Sequence, residues 1–258
     1  MDPSKNDFPA EQYMIQQRRW VGSSMIVIPT IVHVIQDSLH GKTVLDVGCG
    51  TGFISASLLK WGAAKVVGID SSHEMILKCK HKYWSNESLS FRHESTFDLA
   101  EVAKYDAALA IFVLQFCANV NELTVSLINI ARALKSGGLL FGFVPNGVAD
   151  LNPTKANGIK FGASLVLKKV PPEDGEHLSV EFFSEKGEVV GNATITFFYR
   201  ATYEACLKKA GFREIEWIEP IVSDEGIAKY GRSFFDSFFH PAKDIMFKAK
   251  LPDNLNAT

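Results

Sequence analysis

The stretch Val44–Phe53 reads VLDVGCGTGF: an apolar run, an acid at Asp46, then glycines at Gly48, Gly50 and Gly52. Glycine gives up more backbone entropy on folding than any other residue, so this cluster needs a steric reason. Either the chain turns sharply there or something comes close to its backbone. Phe53–Lys60 follows with helical spacing. Strand, glycine turn and helix form the opening of a βα unit. In open α/β sheets that turn lies where ligands bind.

The alternation continues for about a hundred residues. Strands are expected at 43–47, 65–70, 89–92, 105–112 and 139–144. Helices are expected from Pro29 to Leu39, over 53–60, after Ser71-Ser72 with Glu74 completing a capping box, and over 121–134. The run from Tyr105 to Phe112 is apolar throughout after Asp106, as a strand covered on both faces should be. Lys135-Ser136-Gly137-Gly138 reads as a turn. The series predicts an α/β fold with a doubly wound, mostly parallel sheet. Upstream, 10–20 reads as an amphipathic helix carrying Tyr13 and Trp20 on one face.

After Pro145 the rhythm changes. Extended segments are expected near 163–170, 178–183 and 193–199, separated by Pro171-Pro172 and glycines. They predict a small antiparallel β insertion. A helix over 202–209 ends at Ala210-Gly211-Phe212, and strands follow at 214–221 and 244–250. The expected organisation is an N-terminal helical cap over 1–40, a core over 41–145 and 200–258, and an inserted β-rich lid over 146–199.

A chain of 258 residues can bury a sizeable core without disulfides. Its formal charge of −2 gives no bulk field for nucleic acid. Four cysteines lack metal-type spacing, and the opening residues lack an apolar segment. No apolar run is long enough to span a bilayer. A cytoplasmic protein with no nucleic-acid or membrane partner is expected, as a monomer or homodimer.

The glycine pattern does not continue as the dinucleotide fingerprint, because Phe53 stands where a third spaced glycine is needed. Walker-type Gly-Lys-Ser/Thr is also missing. Asp46-x-Gly48-x-Gly50-Thr51-Gly52, Asp70 ending the second strand, then Ser71 and Met75, resemble the class I S-adenosylmethionine-dependent methyltransferases. Tyr105-Asp106, the turn at 134–138 and Ala210-Gly211-Phe212 fit the same family. The resemblance covers 40–145 well and 200–250 loosely. It implies a seven-stranded, Rossmann-like fold with S-adenosyl-L-methionine as cofactor.

The resemblance also assigns a site. Gly48, Cys49, Gly50 and Gly52 would offer backbone to the methionyl end, with Asp46 near its ammonium. Asp70 would accept from the ribose hydroxyls, beside Ser71. Met75 would lie against adenine or in the core, and Ile111 is a further cofactor-binding position. The family often carries an acid after the third strand; Ser95 falls at that position, followed by Thr96, with Glu94 as a shifted alternative.

Acceptor candidates lie beyond the strand ends: Tyr13, Trp20, Gln115, Phe116, Asn146, Tyr199, Tyr230 and Phe234, with Phe235 beside them. Their aromatic character suits a flat or cationic small molecule. No base declares itself; His240, Tyr199 and Gln115 are weak catalytic candidates. No Asn/Asp-Pro-Pro motif, acid cluster or glutamate pair follows strand four, which removes three methyltransferase subclasses and leaves metal-independent transfer to a small molecule. Two alternatives stand beside it: a catalytically silent cofactor-binding subunit and an NAD-dependent oxidoreductase.

Overall fold

The computed structural model describes residues 20–253. Of the N-terminal helix expected at 10–20, only Trp20 is among the described residues; the rest of it, Tyr13 included, lies outside them. The chain enters through a π-helical turn, Ser23–Val27, that continues into α1 (Ile28–Ile35) and a 3-10 turn to Leu39. Pro29 falls in the first turn of α1, directly after the π-helical turn.

The expected alternation is present. β1 (Thr43–Val47), α2 (Phe53–Lys60), β2 (Lys65–Asp70), α3 (His73–Lys82), β3 (Leu89–His93), β4 (Tyr105–Ile111), α4 (Val120–Ala133) and β5 (Leu134–Pro145) follow in order. The residues 135–138 do not end the helix as a free turn. They belong to β5, and the irregularity is taken up as a register shift opposite Tyr105 and Ala107.

The insertion begins with α5 (Lys155–Phe161), which the sequence pattern did not suggest. It is two turns long and carries Asn157 and Gly158, so propensity is silent. Thr154 caps it, and Gly162 at φ +107° closes it. β6 (Ala163–Val166), β7 (Glu176–Phe183) and β8 (Val189–Phe197) then form a separate antiparallel sheet. The chain returns through α6 (Arg200–Ala210), β9 (Glu214–Ile218), α7 (Asp224–Tyr230), α8 (Asp236–Phe239) and β10 (Asp244–Lys250). α7, capped by Ser223, was also not expected.

The main sheet runs β3-β2-β1-β4-β5-β10-β9. β1 to β5 are mutually parallel, and β10 is antiparallel between β5 and β9. Period-two alternation sorts its side chains onto two faces. Leu45, Val47, Ala108 and Phe247 pack with Leu123 and Leu127 of α4 and Leu207 of α6. Val44, Leu109, Phe143 and Met246 pack with Ile31 and Ile35 of α1 and Leu58 of α2. The small sheet rests on Phe116, just beyond β4, and on Trp20. No helix among the described residues is long and apolar enough to cross a membrane.

Candidate functional site

The three glycines answer the opening question differently. All sit at left-handed φ: +66° at Gly48, +53° at Gly50 and +72° at Gly52. A Cβ at Gly48 would stand 2.7 Å from Val113 Cβ, and one at Gly52 would stand 2.8 Å from the Phe91 ring. At Gly50 nothing lies within 4 Å. Turn geometry and internal crowding therefore account for Gly48 and Gly52, whose expected backbone access is reassigned to Gly50. Only there does open space face the chain among the three.

The loop is fastened to the end of β2. Gly50 N–H donates to Asp70 Oδ2 and Ser72 N–H donates to Oδ1, each at 2.8 Å. Both carboxylate oxygens are thus oriented, and each keeps a lone pair for another donor. Burial pushes the Asp70 carboxyl up, while the two backbone donors pull it down. The Cys79 thiol donates to Gly50 carbonyl at 3.1 Å from beneath the loop. Cys49 is buried, and its hydrogen bond with Cys79, then burial, pushes its thiol up. Its side chain therefore faces the protein, and only its backbone is available to a cofactor.

Asp46 is 2% exposed and accepts from Ser55 Oγ at 2.5 Å. Burial lifts its carboxyl to about 7, opposed by the Ser55 bond and assisted by the charge of Asp70. Ser71 is exposed, and Met75 is buried in the first turn of α3. Ser95 Oγ is committed to its own turn: it donates to Asp98 and accepts from Phe97 N–H. Thr96 is pinned to α4 through Ser126, and Asn129 donates to its carbonyl at 2.9 Å. Glu94 pairs with Arg92 at 2.8 Å.

Beyond Ile111, Phe112 adopts φ +52°, a conformation rarely held by a bulky residue without surrounding constraint. Its N–H donates to Phe143 carbonyl and its ring packs 5.2 Å from that of Phe143. Gln115 follows, 5% exposed, with Oε1 buried and unpartnered.

Several acceptor candidates prove to be structural ties. Asn146 is 1% exposed; its amide donates to Ala242 carbonyl, and its Oδ1 accepts from Arg200 Nε. It joins β5, β10 and α6 and has no surface left for an acceptor. Tyr199 donates its hydroxyl to Pro172 carbonyl at 2.8 Å, so it is not a free acid or base. Trp20 donates its indole N–H to Phe183 carbonyl at 2.7 Å and stacks on Phe182, holding the small sheet. His240 is exposed. Tyr230 and Phe234 stack at 4.8 Å within a cluster around Phe161, Met25 and Phe235.

Two residues were not singled out in the sequence. Lys243 and Asp244 stand at the start of β10, where Asp244 faces Pro145 at the carboxyl end of β5. Burial lifts Asp244 to about 7 against the charge of Lys243, and burial lowers Lys243 to about 8. Lys243 Nζ is buried with no hydrogen-bond partner, 5.6 Å from the Phe161 ring centre. The available signal was a Lys-Asp pair just ahead of the apolar run Ile245-Met246-Phe247.

The arrangement has known counterparts. Residues 44–138 match the model of a methyltransferase domain. A ubiquinone biosynthesis O-methyltransferase of Dechloromonas aromatica is 33% identical over 137 residues, 52% of this chain and 56% of the relative. One from Dictyostelium discoideum mitochondria is 28% identical over 162 residues, 57% and 47%. The chain thus spans about half the length of the curated relatives it matches. An S-adenosylmethionine dependent methyltransferase from Mesorhizobium loti superposes with a TM-score of 0.60 at 16% identity, covering 85% of this chain and 95% of that one. A [4+2]-cyclase superposes at 0.56 and 17% identity, covering 88% and 80%, so this fold alone does not fix a chemistry. With the glycine loop, the Asp70 clamp and the sheet order in place, residues 44–138 match a methyltransferase domain, and the chain shares the fold of S-adenosylmethionine-dependent methyltransferases of known structure.

Proposed function

We propose that the protein transfers a methyl group from S-adenosylmethionine to a small-molecule acceptor, in line and without a metal. The observation that carries the cofactor's placement is the clamp between Gly50, Asp70 and Ser72, with open space beside Gly50. The residues fit the cofactor. The free lone pairs of Asp70 receive two vicinal ribose hydroxyls. Gly50 admits the methionyl end, and ionised Asp46 attracts its ammonium. The 95–97 loop, whose side chains are spent locally, offers backbone to the adenine.

When bound, the cofactor supplies a methyl on a sulfonium whose leaving group is a neutral thioether. The protein's work is then positioning and exclusion of water. Phe112, held at its unusual φ, and the small sheet over Phe116 serve that end at the mouth of β4. The small sheet acts as a lid. The names of the relatives favour oxygen as the methylated atom. A cationic acceptor is disfavoured, because the protein's own Lys160 already lies 4.0 Å from the Phe234 ring centre.

Incubation of the protein with methyl-labelled cofactor and a fractionated metabolite extract tests the reading. Label appears in a small molecule, with or without EDTA. Transfer abolished by EDTA and restored by magnesium refutes metal independence. Cofactor binding without transfer to any fraction supports the silent-subunit alternative.

A further inference from the structure

Among the described residues, three buried side-chain polar atoms have no hydrogen-bond partner: Arg92 Nε, Gln115 Oε1 and Lys243 Nζ. Arg92 belongs to an ion network in which its other nitrogens bind Glu94 and Glu101. The other two lie elsewhere. Gln115 is four residues past the end of β4, and Lys243 directly precedes β10. β4, β5 and β10 are neighbours in the sheet, and both residues are at its carboxyl edge. Two strand spacings separate them laterally, about 10 Å.

One orphan is an acceptor and the other a donor-only cation. Leaving either unpaired in a buried place is costly, so each is a signal for a missing partner. Lys243 now rests over the Phe161 ring at 5.6 Å, a weak substitute for hydration. The charges that act on it are Asp244, which favours its protonated form, and Lys160, which opposes it. Lys160 is itself within the influence of Asp236. Two lysines beside one phenyl ring repel each other unless an anion joins them.

We propose that Lys243, backed by Lys160, anchors an acidic group of the acceptor, while Gln115 Oε1 accepts from the hydroxyl or amino group to be methylated. This rests on the methyltransferase reading and names its substrate class: a small organic acid with an O–H or N–H at its far end. A single ring bearing a carboxylate and a distal hydroxyl spans the gap. In the transfer, the acceptor's lone pair forms the new bond to carbon. The carbon–sulfur bond breaks with its electron pair to sulfur, and the acceptor's proton leaves to solvent.

The test uses the full chain saturated with S-adenosylhomocysteine. Titration calorimetry compares 3- and 4-hydroxybenzoate and 4-hydroxyphenylacetate with their carboxamides. At least one acid binds tenfold or more tightly than its amide. Lys243→Met reduces that preference to within twofold and raises the melting temperature of the ligand-free protein, since an unpaired ammonium is removed. Gln115→Leu weakens acid and amide alike and keeps the preference. No preference in any pair, a preference that survives Lys243→Met, or a lowered melting temperature in that variant overturns the proposal. Failure of S-adenosylhomocysteine to bind at all sinks the methyltransferase reading instead.

Discussion

Replacing Gly50 by alanine separates the two roles of the glycine loop. At φ +53° an L-residue costs about 1–2 kcal/mol, because its Cβ crowds the following carbonyl. Alanine also restricts the unfolded chain, which returns about 0.4–1 kcal/mol. No atom lies within 4 Å of the new methyl, so no packing term is added. The net loss is about 0.5–1.5 kcal/mol, a melting shift of only a few degrees for a chain of this size. Gly48→Ala carries the same conformational cost plus a collision with Val113 Cβ at 2.7 Å. That contact cannot be relieved by rotating the side chain, and overpacking adds about 1–3 kcal/mol. Calorimetry and S-adenosylhomocysteine titration then read both variants. Gly50→Ala remains folded and loses at least tenfold in affinity. Gly48→Ala loses much more stability, and adding Val113→Ala, which removes the Cγ2 at 2.5 Å but keeps the Cβ, recovers part of it. Wild-type affinity in a folded Gly50→Ala protein would show that no ligand approaches the backbone there.

Three further outcomes are expected. Asp70→Ala weakens S-adenosylmethionine binding by about 1–3 kcal/mol, because it unties Gly50 and removes the acceptor for the ribose hydroxyls; unchanged affinity by calorimetry refutes the ribose role. Asp46, lifted from 3.8 to about 7, holds an extra proton in the folded state between those values, so its contribution to stability is full at low pH and is lost as pH rises through about 7. From about pH 6 to about pH 8 the ligand-free wild type loses melting temperature relative to Asp46→Asn while cofactor affinity rises; parallel melting curves exclude that assignment. Replacing 150–198 with a short Gly/Ser linker leaves cofactor affinity within a few-fold and the oligomeric state unchanged but abolishes transfer, whereas a halved mass by light scattering with transfer retained identifies a dimer interface in place of a lid.

What could be read from the sequence was whatever is encoded over a short span. β1, the glycine loop and α2 follow from local pattern and steric need, and the strand over 244–250 was placed to the residue. Short elements such as α5 and α7 escaped because two turns of helix with a glycine inside carry no periodic signal. Polar residues were a different difficulty. Asn146 and Tyr199 follow strands at the carboxyl edge, which is where a ligand contact is expected. The structure spends their hydrogen bonds on Ala242, Arg200 and Pro172. Whether a polar group is free depends on distant segments, and those partners lie as far as 96 residues away in the chain.

Lys243 and Asp244 show the converse. Their local signal is weak, since a Lys-Asp pair ahead of the short apolar run Ile245-Met246-Phe247 ordinarily reads as a solvated entrance. Their position becomes informative only because β10 inserts antiparallel between β5 and β9. That reversal turns the start of the last strand into a neighbour of the end of β5, so a residue that would lie at the far edge in a parallel strand stands at the ligand edge. Burial then does the rest. It holds Asp244 and Lys243 near neutrality, at about 7 and about 8, and leaves the lysine without a partner. On the proposed reading, the cofactor half of the site is written in contiguous motifs, and the acceptor half is assembled by topology. That division is what a shared cofactor and a variable acceptor would require of one fold.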